Sequence, residues 1–378
     1  MAESPSPKVL LVVEQLRRSV PGGIGVHAKG LLRGLDQCAT EGEPVDVTLF
    51  ASRARGDDPL EGFGRPVVTS PLPGRLLTRG WDHRWIRAPD GFDVVHSVSP
   101  AAPMLRRSDR SRLIVTVHDL AWRRFPDATT ARGRRWHEAA LRRARDSGAA
   151  LVVPSRVVAS ELMADGLEAE RITVVYGGSD HLDEPDPAAG DAVLARCAVT
   201  GEFLLTVSTL EPRKNLDRLI KAYASVRASL PQPWPLLVVG PTGWGSEPAG
   251  SRQSDGVVFA GAVGGPALSE LYRRSRAFAY VPLTEGYGLP PLEAMRIGVP
   301  SVVAGEVPSV RDLGESGPAP ARLVDPLDVD AIAQGIADVL VDEQVRAELE
   351  TRGAAHARTR TWLGAARELI ALWRRASP

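Results

Sequence analysis

Short apolar runs recur along the whole chain, and stretches with a helical spacing of apolar residues separate them. The runs of the first half span residues 9–13, 45–50, 93–96, 113–117 and 149–153. Those of the second half span residues 203–207, 236–239, 257–259 and 278–280, and helical spacing is clear over residues 214–226 and 328–340. Because strands that alternate with helices and are apolar throughout are typical of parallel sheets, the pattern predicts α/β domains.

A polar, proline-rich stretch at residues 182–190 interrupts the alternation, which then starts again. A chain of 378 residues also exceeds one ordinary domain. We therefore predict two doubly wound, Rossmann-like domains facing each other across a cleft, residues 1–184 and residues 185–361. The segment 362–378 is expected to form a helix that packs back on the first domain. Its apolar side comprises Trp362, Ala366, Leu369, Ile370 and Trp373.

The overall charge is balanced, with 46 basic and 46 acidic residues, which argues against a nucleic-acid partner. Cys38 and Cys197 are far apart in the sequence and suggest a reducing compartment. We expect neither a signal peptide nor a membrane-spanning segment, because the first apolar run is of strand length and the longer apolar runs fall short of a membrane span. We expect a cytoplasmic protein, peripheral at the inner face of the membrane at most.

Two carboxylates lie eight residues apart, at Glu285 and Glu293. Glu285 follows the apolar run 277–282, Gly286 and Gly288 allow a tight turn, and Glu293 falls in the first turns of the next helix. A carboxylate at a strand end can hold sugar hydroxyls, and one on the helix can hold the cis-diol of a ribose. The alternative is a loop charge at Glu285 and a helix-dipole partner at Glu293.

Two adjacent cations, Arg213 and Lys214, follow the run 203–207 and are predicted to enter a helix. Positive charge at a helix start is unfavourable unless an anion compensates it, and a diphosphate would do so. Lys214 is notable because nearly all other basic residues are arginines; the lysines are Lys8, Lys29, Lys214 and Lys221. The alternative is a solvated cationic turn.

Glycines at positions 22, 23 and 25 follow the first predicted strand and open a helix. This arrangement suits a close backbone approach to phosphate, although the dinucleotide-binding spacing is absent. A flexible turn is the alternative.

His118 follows the run 113–117, next to Asp119. It could contact a sugar or hold a leaving group, but a structural histidine is the alternative. No Gly-x-Ser-x-Gly elbow and no metal-binding cluster occurs in the sequence, so we expect neither a hydrolase triad nor a metal site.

Residues 101–150 are strongly basic, with twelve arginines against five acidic residues. Within them, residues 132–145 form a helix-like segment in which Trp136, Ala140 and Leu141 lie among arginines. Such a helix could lie on an anionic membrane and meet a lipid-linked acceptor. A solvated helix face is the alternative.

In combination, these regions resemble glycosyltransferase family 4, the retaining nucleotide-sugar glycosyltransferases with the GT-B fold. The segment from Glu285 to Glu293 resembles the family's E-x7-E motif, and residues 207–216 resemble its phosphate-binding segment. Residues 22–25 and 117–120 resemble its first-domain loops. Two segments depart from the family pattern: residues 304–311, where a Glu precedes the Pro instead of following it, and residues 175–180.

The resemblance implies a role for each candidate. Arg213 and Lys214 would neutralise the donor diphosphate, Glu285 would hold hydroxyls of the transferred sugar, and Glu293 would bind the ribose. His118 would contact the sugar near the reacting carbon. The remaining implied donor-binding positions are Gly22, Gly23, Gly286, Tyr287, Gly288 and Leu289.

The implied reaction is retaining sugar transfer to a glycan or polyprenyl-linked (lipid-linked) acceptor, by same-face attack. It needs no metal or other cofactor, because the nucleotide-sugar is a substrate and the two cations stabilise the leaving diphosphate. The segments 208–215 and 243–245 resemble bacterial mannosyltransferases, so GDP-mannose is the expected donor. The alternatives are a GT-B nucleotide-sugar epimerase and a catalytically silent sugar-nucleotide-binding protein.

Overall fold

A computed structural model describes residues 6–18, 20–54, 56–105, 111–126, 129–242, 255–312 and 318–377. The predicted mannosyltransferase-like segment 243–245 and the basic residues 106, 107 and 110 lie outside them. The chain divides into two compact units. Unit 1 comprises Met1–Gly178 and Thr361–Pro378, and unit 2 comprises Ser179–Arg360.

The strands, numbered along the chain, are β1 Lys8–Val12, β2 Asp46–Ala51, β3 Val67–Thr69, β4 Val94–Ser97, β5 Arg112–Thr116, β6 Ala150–Val153, β7 Ile172–Val174, β8 Leu204–Val207, β9 Leu236–Val239, β10 Val257–Gly261, β11 Ala277–Tyr280, β12 Ser301–Ala304 and β13 Arg322–Val324. The helices are α1 Gly22–Thr40, α2 Gly74–Asp82, α3 Ala121–Arg124, α4 Ala131–Asp146, α5 Arg156–Ala164, α6 Pro187–Arg196, α7 Leu216–Arg227, α8 Gly265–Arg274, α9 Leu289–Ile297, α10 Pro308–Arg311, α11 Val329–Val341, α12 Glu343–Arg358 and α13 Trp362–Ala376.

Each unit contains one parallel sheet within its described residues. The order in unit 1 is β3-β2-β1-β4-β5-β6-β7, and the order in unit 2 is β10-β9-β8-β11-β12-β13. The order reverses between β1 and β4 in unit 1 and between β8 and β11 in unit 2. The prediction of two doubly wound α/β domains is therefore confirmed. In such sheets, ligands bind beyond the carboxyl ends of the strands at the reversal.

The change from unit 1 to unit 2 falls at residues 178 and 179, ahead of the predicted boundary at 184 and 185. Hydrogen bonds explain the earlier position. Ser179 donates its backbone N–H to the carbonyl of Arg360 (3.0 Å) and its hydroxyl to the carbonyl of Ala357 (2.9 Å). The proline-rich stretch lies inside unit 2, where Asp186 caps the first turn of α6.

Helix α13 packs closely on α1 within unit 1. Trp362 and Trp373 are fully buried. A Cβ atom added at Gly30 would overlap the Trp362 ring, and one added at Gly34 would overlap the Trp362 backbone. Only glycine allows this approach, so Gly30 and Gly34 set the contact between the two helices.

Candidate functional site

The strand reversal in unit 2 brings together residues that are distant in sequence. Strands β8 and β11 are parallel neighbours. Arg213 and Lys214 lie in the loop after β8, and Glu285 lies in the loop after β11. The predicted cations and carboxylate therefore meet at the ligand-binding end of the sheet.

Glu285 accepts several hydrogen bonds at a single carboxylate oxygen, Oε1. Its donors are Tyr280 Oη at 2.7 Å, Arg213 Nη1 at 3.1 Å, and Lys214 Nζ. Burial acts to raise the pKa of Glu285, but the charges of Lys214 and Arg213 outweigh it and hold the pKa at about 2. Glu285 is therefore ionised at neutral pH.

Tyr280 and Glu211 complete this cluster. Lys214 Nζ lies 2.8 Å from Tyr280 Oη, and Arg213 Nε lies 2.7 Å from a carboxylate oxygen of Glu211. Burial and the neighbouring Glu285 raise the pKa of Tyr280 well above its usual value, so its hydroxyl remains a donor. Two cations thus face two carboxylates in a nearly buried setting, where charge-assisted hydrogen bonds are strong.

The prediction that Lys214 opens a helix is wrong. Residues Pro212–Lys214 form a 3-10 turn, and α7 begins only at Leu216. Between them, Asn215 adopts the left-handed conformation (φ 60°). Its side-chain amide donates to the carbonyls of Val281 (2.9 Å) and Pro326 (2.7 Å). Asn215 therefore fixes the cationic turn to two neighbouring loops, a role that we did not predict.

The turn between the two predicted carboxylates is held by Ser309 of α10. The Ser309 N–H donates to the carbonyl of Tyr287 (2.8 Å), and its hydroxyl donates to the carbonyl of Gly288 (2.6 Å). Gly288 has a φ of 98°, and a Cβ atom there would lie 2.5 Å from Val307. As predicted, a helix follows this turn: α9 starts at Leu289, and its first turn contains prolines.

The departure from the family pattern at residues 304–311 has a structural explanation. Glu306, which precedes the proline, is exposed and forms an ion pair with Arg311. The residues of the segment that contact the turn before α9 are instead Val307 and Ser309. The altered segment therefore supports the turn by packing and by backbone hydrogen bonds.

Glu293 lies in α9 with a nearly buried side chain. His181 Nε2 lies 3.0 Å from Oε1, and Tyr272 Oη lies 2.8 Å from Oε2. Both partners were missed by the sequence analysis, because no local pattern links residues 181 or 272 to residue 293. The ribose role of Glu293 remains a prediction.

In unit 1, α1 begins at Gly22, so the predicted glycine loop is the first turn of the helix itself. Gly22 has a φ of 60°, and a Cβ atom at Gly22 or Gly23 would meet nothing within 4 Å. In contrast, a Cβ atom at Gly25 would overlap Pro21. Gly22 and Gly23 therefore leave open space beside the helix start, whereas Gly25 is required by local packing.

His118 lies beyond β5 and is held by unit 1. Its Nε2 lies 2.8 Å from the carbonyl oxygen of Val98, and its ring meets His27 edge to face at 4.8 Å. Because a carbonyl only accepts, Nε2 carries the proton and Nδ1 keeps a lone pair in the neutral ring. Burial lowers the pKa of His118, against the opposing effects of Val98 and Asp119. A neutral ring can accept a hydrogen bond from a sugar hydroxyl.

The basic helix α4 turns its apolar side to the core of unit 1, and contact of its charged side with a membrane remains a prediction. Leu141 and Ala144 belong to the buried core of unit 1. Trp136 donates to Asp82 at 2.9 Å, and Arg143 forms an ion pair with Asp82. The arginines that remain exposed on this helix are Arg132, Arg135, Arg142 and Arg145.

Two family models match the chain. The model described as "Glycosyltransferase Family 4" matches residues 21–181, and the one described as "Glycosyl transferases group 1" matches residues 197–356. Together they cover the loops of unit 1 and the charged cluster of unit 2 described above.

Sequence relatives and solved structures are also similar to the chain. O-antigen chain mannosyltransferase B of Escherichia coli is 31% identical over 66% of this chain and 67% of its own length. The GDP-mannose-dependent alpha-(1-6)-phosphatidylinositol monomannoside mannosyltransferase of Mycolicibacterium smegmatis is 28% identical over 82% and 84%. Anabaena HepE, solved with UDP and glucose, is 18% identical, with a TM-score of 0.70 over 98% of this chain and 100% of that one.

Proposed function

Because the chain belongs to glycosyltransferase family 4 and has the GT-B fold, it is a glycosyltransferase, and we propose that it transfers mannose from GDP-mannose with retention of configuration. The acceptor would be a glycan or a polyprenyl-linked or other lipid-linked sugar. The mannosyltransferase names of its relatives support the choice of sugar. The contact of Arg213 and Lys214 with Glu285 at the strand reversal carries the proposal.

We assign the two cations to the donor diphosphate. Arg213 and Lys214 are held by Glu285, so the cluster is organised although it is nearly buried. A bound diphosphate would replace Glu285 as the partner of both cations and leave its oxygens for sugar hydroxyls. Charge that develops on the leaving phosphate would then be stabilised by groups already in place, without a metal ion or other cofactor.

We assign the turn from Gly286 to Leu289 to binding of the same diphosphate. The two residues that follow, Pro290 and Pro291, have no N–H, which leaves few amides for an anion at the start of α9. The side chains of Arg213 and Lys214 therefore carry most of the diphosphate binding in this proposal.

We assign Gly22 and Gly23 to a close backbone approach to the diphosphate, because the space beside them is open. His118 would accept a hydrogen bond from a sugar hydroxyl through Nδ1. Both roles rest on the resemblance to the family and on the local geometry of unit 1.

In the proposed reaction, the acceptor oxygen bonds to the anomeric carbon on the face from which the phosphate leaves. The bond from this carbon to the phosphate oxygen breaks, and the acceptor proton passes to the phosphate. Glu285 is a poor candidate for a general acid or base, because its pKa of about 2 keeps it ionised and paired with cations. Its role is to position the donor.

A nucleotide screen and a transfer assay test this proposal. GDP is expected to raise the melting temperature more than UDP or ADP does, since binding to the native state stabilises it. With GDP-mannose and an acceptor, the product should carry an α-mannosyl linkage by NMR. A larger rise in melting temperature with UDP would contradict GDP-mannose as the donor. A changed nucleotide-sugar formed without acceptor would indicate the epimerase, and binding without turnover would indicate the silent protein.

We also propose that the exposed arginines of α4 contact anionic lipid headgroups by charge alone. Within the described residues, no helix is long and apolar enough to span a bilayer. Arg135 and Arg142 lie two turns apart, on the same side of α4. Peripheral attachment of the protein to the inner face of the membrane would depend on this contact.

Vesicle co-sedimentation tests the contact. The Arg135→Ala/Arg142→Ala variant is expected to bind phosphatidylserine vesicles about 30-fold more weakly, at about 1 kcal/mol for each arginine. Arg33→Ala/Arg156→Ala is the matched control, since both residues are exposed arginines on other helices of unit 1. Equal binding of the two double variants would remove α4 from the contact, and no binding by the unsubstituted protein would exclude it altogether.

A further inference from the structure

We propose that His181 and Tyr272 are positioning residues that orient the Glu293 carboxylate toward the ribose of the donor, and thereby set the preference for a 2′-hydroxyl. This inference rests on the proposed function, because it assumes that Glu293 binds the ribose. The inference is based on the contacts of the Glu293 carboxylate. Each residue contacts a different oxygen: His181 Nε2 lies 3.0 Å from Oε1, and Tyr272 Oη lies 2.8 Å from Oε2.

The direction of each hydrogen bond follows from the chemistry of its partners. The oxygens of a carboxylate accept, so Tyr272 Oη and His181 Nε2 are both donors. Burial and the neighbouring Glu293 raise the pKa of Tyr272 well above its usual value, which keeps its proton in place. Each carboxylate oxygen therefore receives one hydrogen bond and retains acceptor capacity for a second one.

This arrangement fixes the plane of the carboxylate. A Glu side chain has a freely rotating terminal torsion, and one hydrogen bond leaves much of that freedom. Two donors at opposite oxygens remove it, so the remaining acceptor sites point in fixed directions. A cis-diol presents two hydroxyl donors side by side, and an oriented carboxylate can bind both of them.

Both donors are anchored in unit 2 by packing or by hydrogen bonds of the neighbouring residues. Tyr272 is fully buried in α8, and its ring packs against Phe278 of β11 at 5.7 Å. His181 lies two residues after Ser179, which is hydrogen-bonded to the carbonyl of Arg360. The chain after His181 then follows α8, where the N–H of Asp186 donates to the carbonyl of Pro266. Such support is what positioning by a neighbouring residue requires.

The alternative is that His181 and Tyr272 only satisfy a buried carboxylate. Loss of a purely structural hydrogen bond would lower the stability of the protein and weaken the binding of all nucleotides to the same degree. Loss of positioning would selectively reduce the contribution of the 2′-hydroxyl. The ratio of the dissociation constants of 2′-deoxy-GDP and GDP distinguishes the structural role from the positioning role.

The test measures both dissociation constants by calorimetry on the full chain. For the unsubstituted protein, 2′-deoxy-GDP is expected to bind about 10-fold more weakly than GDP, as for one hydrogen bond to a charged group. In Tyr272→Phe and His181→Ala, we expect GDP to bind more weakly. The ratio of the dissociation constant of 2′-deoxy-GDP to that of GDP should fall to about 3 or less. His181→Gln, which retains a donor, should recover part of the ratio. Glu293→Ala should bring the ratio to about 1.

Tyr223→Phe is the matched control. Tyr223 is also fully buried in unit 2, but its hydroxyl donates to the backbone carbonyl of Trp234 at 2.8 Å. It should lower the melting temperature and leave the ratio unchanged. The melting temperature of every variant is measured alongside, so that unfolding is not mistaken for lost positioning.

Different results would contradict the ribose role of Glu293 and the positioning role of His181 and Tyr272. If Glu293→Ala leaves the ratio unchanged, the ribose role of Glu293 is wrong, and the inference is overturned with it. If Glu293→Ala abolishes the ratio while Tyr272→Phe and His181→Ala retain it, only the positioning role is wrong. If GDP does not bind, UDP and 2′-deoxy-UDP are used for the same comparison, and failure of both pairs overturns both proposals.

Discussion

Lys214→Ala is expected to lower kcat/KM for sugar transfer from the proposed donor, GDP-mannose, about 10- to 100-fold, mainly through kcat. A charge-assisted hydrogen bond contributes about 1.5–3 kcal/mol, and each 1.4 kcal/mol corresponds to about a factor of ten in rate. The effect falls on kcat because the leaving diphosphate gains charge in the transition state. Steady-state kinetics with saturating acceptor measures it.

Lys221→Ala is the control for this prediction. Lys221 is an exposed lysine on α7, a short distance along the chain from the cationic turn, so its removal should leave transfer unchanged. Lys214→Arg retains the charge and should recover part of the activity. Wild-type kinetics in Lys214→Ala, at an unchanged melting temperature, would exclude the diphosphate role of Lys214.

Gly30→Ala is expected to lower the melting temperature by about 2–8 °C, the shift for a net cost of about 1–2 kcal/mol. The added methyl group would overlap the buried Trp362 ring, so α1 and α13 must separate or the tryptophan must leave its rotamer. Overpacking of this kind costs about 1–3 kcal/mol, and for a domain of about 200 residues each kcal/mol shifts the melting temperature by about 2–4 °C. The better helix propensity of alanine offsets up to about 1 kcal/mol. Differential scanning calorimetry measures the change.

Gly23→Ala in the same helix isolates the steric cause. A Cβ atom there meets nothing within 4 Å, so this variant should be as stable as the unsubstituted protein or more stable. In a second control, Trp362→Phe and Gly30→Ala combined should cost less than the sum of the single changes. Additive effects would show that the overlap with Trp362 is not the cause.

The periodicity of the sequence was sufficient to predict the fold class. Strands β1, β2, β8 and β11 lie within one residue of the predicted apolar runs, because buried parallel strands are continuously apolar. Most of the strands that were missed span only three residues, such as Val67–Thr69, and runs of that length do not differ from apolar loops.

Other features depend on contacts that a single sequence does not record. The start of α7 was misplaced because the conformation of Asn215 is set by carbonyls of two distant loops. For the same reason, the partners of Glu293 could not be found, since Tyr272 lies on another helix and His181 precedes the proline-rich stretch. The charge of α4 was visible in the sequence, but which of its sides faces the core was not.

The hydrogen bonds of Ser179 have a consequence for the modular organisation of the chain. Unit 2 enters at Ser179 and ends at Arg360, and these two residues are hydrogen-bonded to each other. Unit 2 is thus one continuous segment between the two parts of unit 1, its ends are adjacent, and a short turn would suffice to join residue 178 to residue 361. The entropy of closing such a short connection is small. Unit 2 could therefore be exchanged for another domain of the same fold while α13 keeps its place on α1.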